Sequence, residues 1–174
     1  MTYLIILLGL LPGFTWLLFY LQEDMHPEPK KMIAKVFFAG MLSAIAALAV
    51  ELAISCAPVR GSISCSKILG ENISVAPFII LAFSAVEEIA KFAAAYFIIA
   101  KSKYFDEPVD AMVYMAVAAL GFATVENIGA LSNTGTPVLL NGIFEIATFR
   151  FVGTTLLHPL TSSIAGYFWA LGIR

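Results

Sequence analysis

Residues 77–99 read PFIILAFSAVEEIAKFAAAYFII, an apolar run with Glu87, Glu88 and Lys91 set into its middle. At about 1.5 Å of rise per residue, such a run is long enough to cross the roughly 30 Å hydrocarbon core of a bilayer. The charges argue against a surface facing lipid on every side. An ionisable group at mid-bilayer costs about 2.5–3.5 kcal/mol on insertion scales, so each one needs a partner or a purpose. The stretch therefore predicts a membrane helix packed into a bundle, with its charged face turned inward.

Working outward, further spans are predicted at 3–21, 32–54, 109–131 and 149–173, which makes five. Residues 137–147 are shorter and amphipathic, with Asn141 and Glu145, and suit an interfacial or re-entrant segment; a sixth span ending near His158 is the alternative. Composition agrees: of 174 residues, 60% are hydrophobic and 13% charged, too apolar for the solvated surface of a soluble domain. The expectation is one all-α, polytopic transmembrane bundle over 1–174, multi-pass in a cell membrane and so in contact with the lipid bilayer. The net charge of −2 and the scattered cations exclude a phosphate-tracking stripe, so nucleic acid is not an expected partner. Lys30, Lys31, Lys35, Lys101, Lys103 and Arg174 fall on one side of the spans, against Arg60 and Lys67 on the other, which orients the N-terminus outside.

Residues 1–21 lack a basic leader region and a small-residue cleavage site and read as a retained helix. Cys56 and Cys65 share one polar segment, match neither a CxxC pair nor a zinc site, and admit a disulfide if that loop is extracytoplasmic. Two motifs are weak. Gly9 and Gly13 have GxxxG spacing, although Pro12 beside them makes a local bend an equal explanation, and Asn72-Ile73-Ser74 fits a glycosylation sequon by pattern alone.

The polar residues inside the spans carry the functional reading. Lys91 lies three residues after Glu88 and four after Glu87, within reach of either. One Glu–Lys pair would serve as a bundle-orienting ion pair. A second acid leaves surplus negative charge, and adjacent residues diverge by about 100° around a helix, so Glu87 and Glu88 should differ in role. Glu126 and Asn127 follow a run of small residues in the fourth span, and Arg150, Thr154, His158 and Ser162 recur every four residues in the fifth, forming one polar stripe. Counted from the outer ends of the spans, Glu126 lies roughly 8 Å deep, His158 roughly 13 Å and the Glu87/Glu88 pair roughly 15 Å. These groups can meet in one outward-biased cavity, where acids and an imidazole could activate water or hold a metal.

Four motifs together resemble the PrsW family of intramembrane proteases, relatives of the prenyl-protein endopeptidases. Asp24-Met25-His26-Pro27-Glu28-Pro29 is similar to the family's D-x-x-PEP element, and Glu87-Glu88-Ile89-Ala90-Lys91 to its EExxK motif. Asp110 to Tyr114 with Phe122 to Asn127 resembles its FxxxEN region, and His158 to Ser162 its HxxxS motif. The resemblance implies a glutamate-dependent, metal-assisted peptidase that clips single-span, anti-sigma-factor-like proteins near their extracytoplasmic side in a prokaryotic plasma membrane. It assigns Glu87 or Glu88 as base, with Glu126 and His158 positioning water or metal. Lys91, Asn127, Arg150 and Ser162 would support them. If a divalent metal such as zinc is used, Glu88, Glu126 and His158 are the candidate ligands. Family members usually continue into further helices with an HxxxD-like motif, so the chain is expected to lack that part.

Two alternatives use the same residues. A CAAX-like prenyl-protein endopeptidase would open toward the cytoplasmic face, and a proton or ion transporter would use Glu87, Lys91, Glu126 and His158 as a relay. No HExxH, GxGD or GxSG motif points to other intramembrane proteases.

Overall fold

The computed structural model describes residues 2–22, 28–55, 58–59, 62–63, 76–105, 107–132 and 140–173. Six helices carry these residues: α1 (Thr2–Gln22), α2 (Lys30–Ser55), α3 (Ala76–Ile99), α4 (Pro108–Ser132), α5 (Leu140–Val152) and α6 (Thr154–Ile173). A two-residue antiparallel pair, β1 (Pro58–Val59) and β2 (Ser62–Ile63), lies between α2 and α3. Several sequence readings lie outside the described residues: Cys56 and Cys65, the Asn72 sequon, Arg60, Lys67, Arg174, and the Asp24 to Pro27 part of the first motif.

The first four helices match the predicted spans to within two residues. The C-terminal third differs. The expected interfacial segment and the first residues of the fifth span form one helix, α5, and the chain restarts as α6 one residue later. Gly153 is the joint, and its N–H still donates to the Phe149 carbonyl while its own carbonyl accepts from Leu157. A Cβ at Gly153 would stand 2.7 Å from the Phe149 oxygen, so the bend there depends on glycine. Inside α6, Pro159 has no N–H to offer the carbonyl of Thr155, which loosens the turn that carries His158.

Among the described residues, Thr2–Gln22, Lys30–Ile54 and Pro108–Ser132 are long and apolar enough to cross a membrane. Helix α3, at 24 residues, falls within their range of length but carries Glu87, Glu88 and Lys91 at its centre. The outer surface explains where the hydrophobic composition goes: Phe38, Leu42, Phe78, Leu81, Ile89, Phe97, Phe149 and Phe168 are all exposed. A belt of large apolar side chains of this extent suits lipid and not water. The protein is a helical membrane bundle.

Helix α4 is its axis. Its most apolar stretch is 72% buried, against 22% for α1 and 33% for α2. The reason is its run of small residues, which lets three neighbours approach the backbone. A Cβ at Gly40 of α2 would collide with the carbonyl of Ala118, and one at Gly121 of α4 with the carbonyl of Phe37. On α6, Gly166 packs over Ala111, and on α1, Gly9 and Gly13 pack over Ile128 and Thr124. The GxxxG pair is thus a helix contact, while Pro12 is accommodated within α1. At the start of α4 the Glu107 N–H donates to Asp110 Oδ2 at 2.7 Å with Pro108 as the first helical residue, half of a capping box.

Candidate active site

Four helices, two running each way, bring polar side chains to the same half of the bundle, the half in which α1 and α3 begin. Glu51 sits near the end of α2, Glu87, Glu88 and Lys91 at the middle of α3, Glu126 and Asn127 in the last two turns of α4, and His158 in the second turn of α6. Arg150 reaches in from the end of α5.

Lys91 is the hub. Its side chain is fully buried, yet Nζ lies 2.9 Å from Glu88 Oε1, 3.4 Å from Glu87 Oε2 and 2.7 Å from His158 Nδ1. The ammonium also sits 4.6 Å from the centroid of the Phe122 ring. A buried ammonium without such partners would carry a penalty of several kcal/mol, which is why this lysine is ringed by acceptors. Because an ammonium can only donate, His158 Nδ1 accepts from it, and the imidazole proton belongs on Nε2. His158 Nε2 then donates to Glu126 Oε2 at 2.8 Å. One histidine thereby links α3 to α4 through its two ring nitrogens.

The adjacent acids diverge as their helical offset requires. Glu88, with 40% of its side chain exposed, accepts from Ser162 Oγ at 3.2 Å and Thr161 Oγ1 at 3.3 Å on α6. Glu87, 23% exposed, points to the other group. One carboxylate oxygen of Glu87, one of Glu126 and one ring nitrogen of His158 lie within 4.8 Å of one another. The carboxylate that joins Glu126 and His158 is therefore Glu87, where the sequence offered Glu88 as the candidate ligand.

A second layer holds Glu126. Arg150 places Nη2 3.6 Å from Glu126 Oε2, and its Nε donates to Asn127 Oδ1 at 2.6 Å. Asn127, almost wholly buried, passes its own N–H to Thr155 Oγ1 at 2.9 Å. The expected supporting residues Lys91, Asn127, Arg150 and Ser162 each make a hydrogen bond into the cluster. Thr154, on the polar stripe by spacing, is exposed, and it is Thr155 that is buried there.

Glu51 is absent from the sequence reading. Its position next to the end of a span allowed an interfacial explanation, and the signal that marks it is the one used for Glu126, an acid in the apolar run Ala49-Val50-Glu51-Leu52-Ala53. The structure sets it, with Glu126 and Arg150, on the wall of a cavity of about 320 Å³ otherwise lined by apolar residues. It lies close enough to Glu87, Glu126 and Lys91 to interact with them electrostatically.

This donor set fits a divalent metal. Two carboxylates and an imidazole from three helices leave room in a coordination sphere for water, the arrangement of three-ligand catalytic zinc sites. Counted as ionised, Glu51, Glu87, Glu88 and Glu126 outweigh Lys91 and Arg150 by two charges, an excess that a divalent cation or protons would offset.

A multi-helix membrane bundle with half-buried acids and an imidazole converging beside a cavity defines a class of membrane-embedded proteins equipped for acid–base or metal chemistry. The family is identified by comparison. The model of the PrsW family of intramembrane metalloproteases matches residues 28–174, and the chain belongs to that family. It is 30% identical over 162 residues to Protease PrsW of Geobacillus kaustophilus, covering 92% of this chain and 63% of that one. Protease PrsW of Oceanobacillus iheyensis is 29% identical over 160 residues (92% and 65%), and that of Bacillus subtilis 28% over 167 residues (94% and 66%). The chain thus spans a little under two thirds of the length of these relatives. No solved structure matches.

Proposed function

We propose that this protein is a multi-pass intramembrane peptidase of the plasma membrane that hydrolyses single-span, anti-sigma-factor-like membrane proteins near their extracytoplasmic side. The observation that carries the reading is the meeting of Glu87, Glu126 and His158 ligand atoms within 4.8 Å, on three helices, beside a cavity. Peptide hydrolysis needs a base for water, a donor for the developing oxyanion and a proton for the leaving amine.

The side chains supply each. Glu87 accepts a proton from a water held between it and Glu126, and the oxygen adds to the substrate carbonyl carbon. His158 Nε2–H and the Arg150 guanidinium donate to the carbonyl oxygen as it becomes an oxyanion. The tetrahedral species collapses with cleavage of the C–N bond, and the proton on Glu87 passes to the amine. Lys91 and Glu88 are positioning residues: Lys91 sets the tautomer of His158, and Glu88 pins α3 to α6 through Ser162. A divalent metal held by Glu87, Glu126 and His158 Nε2 would take the place of the Nε2–H donor and supply Lewis acidity in its stead, polarising the carbonyl and making water a better nucleophile.

Co-expression with tagged single-span proteins tests this, comparing wild type with Glu87→Gln, Glu88→Gln, Glu126→Gln and His158→Ala. Cleavage should be lost in the Glu87, Glu126 and His158 variants while each still accumulates as folded membrane protein; cleavage retained in Glu87→Gln counts directly against the assignment. Liposome ion flux with no proteolysis would favour the transporter instead.

A further inference from the structure

The cavity beside the cluster has a construction that the hydrolytic chemistry alone does not require. Glu126 belongs to both, so any bond attacked at the cluster lies within reach of the cavity. Apart from Glu51, Glu126 and Arg150, the wall is apolar, with the small residues Ala44, Ala47, Gly129 and Ala130 beside the larger Leu48 and Val125. Phe122 closes one side and is itself fixed by the cluster, with its ring 5.9 Å from that of His158. At about 320 Å³ the volume is at the lower end of ligand pockets, room for one side chain and water and not for a length of helix. Gly129 is the telling position. An added Cβ there meets no atom within 4 Å among the described residues, whereas at Gly40 and Gly121, also between α2 and α4, that space is filled by neighbouring backbone. Packing among the described residues therefore gives no reason for glycine at 129.

We propose that this cavity is the specificity pocket for an apolar substrate side chain flanking the cleaved bond, with Gly129 setting how large that side chain can be. The assignment rests on the peptidase reading above. It predicts that a side chain grown at position 129 narrows the pocket without disturbing the bundle, since glycine in a helix interior is a poor helix former that most residues improve upon.

The test uses the full chain in proteoliposomes with a single-span substrate whose residue next to the cleaved bond is Ala, Leu or Phe. Gly129→Leu should lower the ratio of kcat/KM for Phe over Ala at least tenfold relative to wild type, with Gly129→Ala between them. An unchanged ratio overturns the pocket while leaving the peptidase standing; failure of wild type to cut any of the three overturns both. A second measurement does not depend on turnover. In a Glu87→Gln, Cys56→Ser, Cys65→Ser background, Gly129→Cys should form a disulfide with a substrate cysteine placed next to the cleaved bond and not with one placed two helical turns away. Equal cross-linking at both positions, or at neither, sinks the assignment.

Discussion

The two halves of the bundle use the same kinds of residue for opposite ends. In the half where α4 begins, Glu28 accepts a 2.5 Å hydrogen bond from Tyr114, whose side chain is fully buried, and Trp169 is boxed in by Phe92, Tyr96 and Phe105 at ring separations of 5.0 to 5.6 Å. Apolar core surrounds this end, with Val36, Ile99, Met115 and Leu120 buried around it. In the half where α4 ends, Glu126 receives a comparable bond from His158; both remain partly exposed, and Glu126 borders a cavity that Glu51 and Arg150 also line. Glu28 is half-buried and lines an apolar cavity of its own, and its bond to Tyr114 ties the start of α2 to α4. An acid that shares its histidine with a lysine, a second acid and open space can exchange protons, bind a cation or meet a substrate. The motifs do not distinguish these cases, since both acids belong to elements that resemble the same family.

Substitutions in the two halves should therefore separate activity from stability. The largest effect is expected at the cluster: Glu87→Gln and His158→Ala should each reduce substrate cleavage by about 10²–10⁴-fold, the usual worth of a positioned acid–base group, with thermal unfolding in detergent close to wild type. A mutant that melts far below wild type would instead place these residues with the structural half. Next comes Asn127→Ala, which unties Arg150 and Thr155 from the cluster. A loss of about 10–100-fold in activity or metal content is expected, as for groups that orient ligands, and zinc retained by the purified protein is the direct readout. At the α2–α4 seam the effect passes to stability. Gly121→Val forces a side chain against the Phe37 carbonyl and should cost about 1–3 kcal/mol, seen as a lowered melting temperature. The smallest change is Tyr114→Phe, which removes one hydrogen bond and should destabilise by about 1 kcal/mol while leaving cleavage nearly intact. Cleavage lost in Tyr114→Phe without unfolding would mean that the two halves are coupled.

What could be read along the chain was whatever depends on one helix at a time. Run length and apolar content set α1 to α4 to within two residues, because a bilayer imposes the same minimum span on every crossing helix. The cost of burying charge singled out Glu87, Glu88, Lys91, Glu126 and His158, since that penalty belongs to the side chain and its surroundings in bulk. Three things required the tertiary structure. Gly153 splits the last predicted span, because a helical pattern tolerates a glycine at a cost of about 1 kcal/mol and only the packing of the two segments decides whether the helix breaks there. Glu87 and not Glu88 joins Glu126 and His158, because which of two adjacent acids faces inward depends on a helix rotation of about 100° that only packing against α4 and α6 fixes. Glu51 enters the site, because its distance from Glu126 is a property of two helices crossing and not of either alone.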